Sequence, residues 1–335
     1  EVVKQLHMQQ GSRQVAFRYD LLNIDEIKIG ELKAQTGANR VSMHSLAQIK
    51  RTAQFTFLES ELKDVDWLNN RIKPVFRLQM PDKSWIEWSL GVFLLSSPAR
   101  RHNVTVTRDI EAYDASVILV EDKFDNRYRV PTGKKYVDAV TEIINEAGMW
   151  KINITEHPGT LSTDREFEIG TSKLEAVNEL LKSINYTSLW IDEHGYATAK
   201  PYILPTYREV EYTYKTDEIS IIHPGALNEI DLFNVPNMWV VTASNPEKAP
   251  LTSRYVNDLA TSQTSTINRK RRIVDFREVD DIYDQQTLDD YVMRIAYESS
   301  QVYEKVIFDS TNMPHHSYSD MLFIDHTGLD TANKY

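Results

Sequence analysis

The sequence contains no cysteine. That excludes disulfides, thiol nucleophiles and the usual cysteine-based structural zinc sites, and it fits a protein assembled in a reducing cytoplasm. No apolar run reaches the roughly 18 residues that would suggest a membrane-spanning helix, so no membrane span is expected. Residues 1–13 lack the basic, apolar and small-residue order of a signal peptide. Glycine-rich nucleotide loops, the H-E-x-x-H zinc helix and the G-x-S-x-G nucleophile elbow are all missing. Their absence argues against catalysis, and no catalytic, cofactor-binding or metal site is expected. Positive charge is also scarce. Lys and Arg number 38 against 49 Asp and Glu, for a net charge of −11. Affinity for DNA comes largely from cations that displace phosphate counterions, so stable nucleic-acid binding is not expected.

What is present describes a folded, mostly β chain. Its 335 residues are too many for one ordinary core and suggest two or three domains. Apolar residues make up 41% and charged residues 26%, the balance of a globular protein. The 17 Tyr, 11 Phe and 6 Trp suit half-buried pleated surfaces.

Residues 1–120 read as the first β domain. Ala53, Phe55 and Phe57 alternate with Thr52, Gln54 and Thr56, as in a strand with one buried face. Pro81-Asp82-Lys83 separates two strand-like runs, which predicts a hairpin, and Gly91 suggests a bend that lets the second run continue. Val104 and Val106 alternate with threonines, which also predicts a strand. Residues 63–70 and a helical turn at 115–120 interrupt the β pattern.

The period changes in residues 121–206. Tyr136, Val137, Val140, Ile143, Ile144 and Ala147 fall on one helical face, with Gly148 at the C-terminal cap position. A strand with Trp150, Ile152 and Ile154 on one side follows. Ser172 and Glu175 have capping-box spacing ahead of a stripe of Leu174, Val177, Leu180, Leu181 and Ile184. A hairpin turning at Asp192-Glu193-His194-Gly195 completes a compact α+β module.

Residues 207–335 return to β. Strands are expected at 219–222, 238–242, 272–279, 302–308 and 321–325, with a helix at 285–300. Residues 243–268 show little pattern and predict an insertion or arm, with 243–270 an alternative addition to the α+β domain.

Few residues suggest chemistry. His315 and His316 precede Asp320, but adjacent side chains in an extended segment point to opposite faces, so a solvated loop is expected rather than a metal site. His194 reads as turn surface. Asp280-Asp281 and Asp289-Asp290 are adjacent in sequence, unlike glycosidase carboxylates, and read as charge before and within the first turn of a helix. The basic run Arg269-Lys270-Arg271-Arg272 reads as a solvated loop or a contact to an acidic neighbouring subunit.

The order of elements resembles the baseplate-hub family of phage tails, including the late control protein D group and the N-terminal structural part of tail-associated lysins. The resemblance extends to the prophage endopeptidase tail type of a Listeria-type siphophage with a Gram-positive host. Three features carry it. The first is the β segment ending at 109–114 (Asp-Ile-Glu-Ala-Tyr-Asp) and a short helix. The second is the helix 172–184 followed by Leu189-Trp190-Ile191, the Gly195 turn and Pro201. The third is the strand–helix–strand of 272–308 leading to Pro314 and 319–323 (Ser-Asp-Met-Leu-Phe), where relatives often have Gly in place of Ser319.

The resemblance implies two tube-type β-barrel-like domains, 1–120 and 207–335, with the α+β domain 121–206 inserted between them. It implies a homotrimeric ring with pseudo-sixfold character at the end of the tail tube, around the DNA exit channel. Distal tail protein, tape-measure protein and receptor-binding proteins would be its partners, at the virion tail tip after assembly in the host cytoplasm. Two other functions compete: a cell-wall endopeptidase or lysin, whose activity would be expected in a C-terminal domain absent from this chain, and a carbohydrate-binding adhesin.

Overall fold

The computed structural model describes residues 13–34, 39–62, 65–96, 99–102, 104–217, 222–230, 232–244, 249–301, 304–318 and 320–335. The first nine strands are β1 (Val15–Leu22), β2 (Lys28–Leu32), β3 (Arg40–Met43), β4 (Arg51–Leu58), β5 (Arg71–Gln79), β6 (Trp85–Ser89), β7 (Phe93–Leu95), β8 (Ala99–His102) and β9 (Val106–Tyr113). They form one sheet in the order β2-β1-β5-β7-β9-β4-β3, with β6 beside β5 and β8 beside β9. The sheet is barrel-like but does not close among the described residues. It curls far enough for Ala34, just past β2, to bridge Phe57 of β4.

The alternation expected in β4 is present. Ala53, Phe55 and Phe57 are buried, and Tyr19, Phe57 and Phe93 pack against Phe55 at centroid distances of 5.8–5.9 Å. Such aromatic contacts, mostly edge-on here, add to the area they bury. Gly91 bends the chain so that β6 and β7 both pair with β5. Its φ of +135° belongs to the range that favours glycine. Val104 departs from expectation. It is fully exposed, because His102 already pairs with Val106 and Val104 and Thr105 lie in a bend outside the ladder.

The middle segment contains α1 (Ser116–Glu121), β10 (Tyr128–Val130), α2 (Tyr136–Glu146), β11 (Ile152–Ile154), β12 (Arg165–Phe167), α3 (Lys173–Ser183), β13 (Trp190–Ile191) and β14 (Ala197–Ala199). Both helical stripes enter one core. Val140, Ile143 and Ile144 meet Leu174, Val177 and Leu181 there, with Val137 half-buried at its margin. Burying each such side chain contributes about 1.5–3 kcal/mol. Ser172 accepts the Glu175 backbone N–H at 3.2 Å and caps α3. β14 pairs with β13 and, in parallel, with β11.

The third segment contains β15 (Tyr212–Lys215), β16 (Leu227–Ile230), β17 (Met238–Ala243), β18 (Leu251–Val256), α4 (Thr266–Arg269), β19 (Val274–Val279), α5 (Gln285–Gln301), β20 (Glu304–Ile307), β21 (Leu322–His326) and β22 (Thr331–Lys334). Three small sheets result: β15-β21-β22, β16-β20 and β18-β17-β19. Helix α5 covers one face of the last, where Trp239, Val241, Leu288, Val292 and Ile295 form a core.

The irregular arm expected at 243–268 is corrected by β18. Ser253 occupies an inward position there, with its hydroxyl donating to Asp289 at 2.5 Å, and that polar residue hides the apolar alternation. Of the strand expected at 219–222, residues 219–221 lie outside the described residues, and Ile222 bridges Ser310.

The middle module contacts both neighbours. Lys151 pairs with Glu26, and the Ser89 hydroxyl donates to the Glu193 carbonyl at 2.5 Å. On the other side Arg294 donates to the Tyr186 carbonyl at 2.7 Å, and the Tyr283 backbone N–H donates to the Ser183 carbonyl at 3.0 Å.

Candidate functional surfaces

The structure gathers His315 and His316 into a cluster instead of the solvated loop expected. Their ring centroids are 4.8 Å apart, and each is 4.6 Å from that of Tyr212 on β15. The segment is not extended, so its adjacent side chains need not diverge. His316 Nδ1 is 3.2 Å from Asp320, which also accepts the Ser317 backbone N–H at 2.8 Å. The other ring nitrogen meets the Tyr214 hydroxyl. The Tyr214 pKa is pushed up to about 12, chiefly by burial, so its hydroxyl keeps its proton at neutral pH. The arrangement ties His315, His316 and Asp320 to β15. Among the described residues no group of three or more His, Asp or Glu has the geometry to hold a metal ion.

His194 lies, as expected, on an exposed hairpin turn, where its backbone N–H donates to Asp192 at 2.9 Å. The aspartates are placed differently from expectation. Asp281 accepts the Tyr136 hydroxyl at 2.6 Å and Asp280 pairs with Arg165 at 3.2 Å, so both dock the third segment onto the middle module. Asp284, which sequence reasoning passed over, caps α5 by accepting the backbone N–H of Thr287 at 2.8 Å. The spacing of Asp284 to Thr287 before the apolar run is the signal that could have found it. Asp289 and Asp290 lie one turn further on and accept from Gln285 and Gln286 at 2.8 and 3.1 Å.

The basic run divides into two roles. Arg269 donates to the Phe233 and Val235 carbonyls at 3.2 and 3.1 Å, and Arg271 also reaches Phe233. Lys270 adopts a left-handed conformation at the end of α4, and Arg272 is exposed. Beside them lies the face of the β18-β17-β19 sheet opposite α5. Its register sets Val256, Met238 and Val274 in one row and Arg254, Val240 and Phe276 in the next. Val274 and Phe276 are more than half exposed. An apolar row bordered by cations suits contact with an acidic protein surface.

A comparison with protein-family models finds no match, and neither does one with curated proteins. Solved structures do match. A tail protein from Neisseria meningitidis MC58 superimposes with a TM-score of 0.65 at 10% identity, over 95% of this chain and 89% of its own. The 43 kDa tail protein of prophage MuSo2 from Shewanella oneidensis gives 0.62 at 8% identity, over 95% and 91%. Prophage tail protein gp18 from Listeria monocytogenes EGD-e gives 0.55 at 11% identity, over 95% and 87%. Among the described residues no helix is long and apolar enough to cross a membrane. The chain has the fold of phage and prophage tail proteins.

Proposed function

We propose that this chain is a structural, non-enzymatic subunit of a phage tail tip. In this reading three copies form the hub ring at the end of the tail tube, around the DNA exit channel. Domains 1–120 and 207–335 build the ring, and the inserted module 121–206 lies on its outside. Distal tail, tape-measure and receptor-binding proteins are the neighbours, met during assembly in the host cytoplasm and retained at the virion tail tip.

The observation that carries this reading is likeness over 95% of the chain to tail proteins from three bacteria. The likeness spans all three segments, so it concerns their arrangement and not one common module. The negative net charge supports it too, because an acidic wall would not trap passing DNA.

The test is to tag the protein in an inducible prophage and image the particles with an antibody to the tag. Label at the end of the tail away from the head is expected, and particles lacking the protein should have no finished tip. Label along the tube or on the head would overturn the placement. Release of fragments from host peptidoglycan by the purified chain would overturn the non-enzymatic role.

A further inference from the structure

All three segments meet around an open cleft of about 810 Å³, within the range of ligand sites. One rim is the loop before β4, where Leu46 is 82% exposed. The walls carry Tyr202, Tyr297, Tyr318 and Met321. Lys50 also lines the cleft, although only 7% of its surface is exposed. Its ammonium lies 5.6 Å from the centre of the Tyr318 ring. Its one hydrogen bond among the described residues is a long one, 3.4 Å, to the Ala47 carbonyl.

A buried ammonium with no carboxylate in hydrogen-bond contact is costly, and burial lowers the Lys50 pKa, opposed in part by the charge of Asp114, whose oxygens accept instead from the Arg51 backbone N–H and from Ser116. The cleft's acids do not neutralise it. Glu298 is held by Arg294 at 2.9 Å, and Asp320 by His316 and the Ser317 N–H. Lys200, on the same wall, lies 5.7 Å from the Trp190 ring centroid, and no ion pair engages it among the described residues. The free charge is therefore positive and set among aromatic and aliphatic surface.

We infer that this cleft receives a short extended segment of a partner protein, one that carries an aromatic or aliphatic side chain next to a carboxylate. The carboxylate meets Lys50 and Lys200, and the apolar side chain packs between Leu46 and the tyrosines. A peptide fits better than a sugar because the walls are mainly apolar, whereas a sugar needs several directed polar partners. An occupant would touch all three segments at once and hold them together. The inference does not depend on the tail-tip placement, and its test uses the isolated full chain.

The probe is anilinonaphthalene sulfonate, an aromatic anion that fluoresces when desolvated, compared with neutral N-phenylnaphthylamine. One anion per chain is expected, bound about tenfold more tightly than the neutral compound, the equivalent of one charge-assisted hydrogen bond. Lys50→Met should abolish that preference. Leu46→Asp, on an exposed rim where folding is unaffected, should weaken both probes, whereas Leu68→Asp, exposed and outside the cleft, should change neither. The peptide acetyl-Leu-Phe-Glu-amide should displace the anion and its Gln counterpart should not. Equal displacement by both peptides, or by neither, would overturn the inference. So would displacement by an acidic oligosaccharide alone, or an unchanged anion preference in Lys50→Met.

Discussion

The Tyr136 hydroxyl donates to the Asp281 carboxylate at 2.6 Å, across the seam between α2 and the loop that leads into α5. Tyr136 is fully buried. Burial first, and this hydrogen bond second, raise its pKa far above the ordinary phenol value, so it remains a donor at neutral pH. Phenylalanine would fill the same space and leave the carboxylate without this partner. Tyr136→Phe is expected to cost about 1.5–3 kcal/mol, the range for hydrogen bonds to charged groups. Urea unfolding measures it. A change under about 0.5 kcal/mol, typical of surface sites, would mean that the seam contributes little.

Gly91 offers a sharper steric test. A Cβ added there would lie 2.7 Å from the Arg51 Cδ and 2.8 Å from the Phe93 ring, on a backbone at φ +135°. Arg51 and Phe93 are both buried and cannot easily move aside. Gly91→Ala should therefore destabilise by about 2–4 kcal/mol, combining backbone strain with overpacking. Gly133 also has positive φ, but nothing lies within 4 Å of its added Cβ. Gly133→Ala should cost only about 1–2 kcal/mol. Thermal unfolding of the pair separates clash from conformation, and equal losses would refute the clash.

Features set by neighbours in sequence were legible in it. The Phe55 and Phe57 alternation, the two helical stripes, the Ser172 cap and the Gly195 hairpin each rest on residues a few positions apart. Features set by distant partners were not. β22 has the sequence Thr-Ala-Asn-Lys, with little strand propensity, and exists because β21 offers it a ladder. The His316 cluster depends on Tyr212 and Tyr214, about 100 residues away. The cleft joins Lys50, Lys200 and Tyr318, which no local pattern relates.

Acid should loosen the middle module through Asp164. Its carboxylate accepts from the Thr132 backbone N–H at 2.7 Å and the Thr132 hydroxyl at 2.8 Å, and it pairs with Arg129. The backbone hydrogen bond is the largest of the influences that lower its pKa from 3.8 to about 2. A depressed folded pKa means that the stabilisation is present in full above the unfolded value. It fades as pH falls below roughly 4 and is lost once pH passes about 2. The melting temperature of Asp164→Asn should therefore lie below that of the native chain at neutral pH and converge with it towards pH 2. A gap that stays constant across this window would exclude the linkage.

The two histidine sites should respond unequally to mutation. His194 is exposed, and the bonds recorded for its backbone use N–H and carbonyl groups that any residue retains. His194→Ala should therefore change stability by less than about 0.5 kcal/mol. His316 instead connects Tyr214 to Asp320 and packs edge-on against Tyr212 at 4.6 Å. Removing its ring leaves a buried hydroxyl and a half-buried carboxylate short of a partner, with an expected cost of about 1–3 kcal/mol. His316→Gln keeps one donor and one acceptor and should recover part of the loss. Since Asp320 and Met321 also line the cleft, His316→Ala should weaken binding of the anionic probe as the loop loosens. Equal stability of His316→Ala and His194→Ala in denaturant would show that the cluster is only surface contact. The 315–320 loop would then be as open to solvent as its sequence alone suggests.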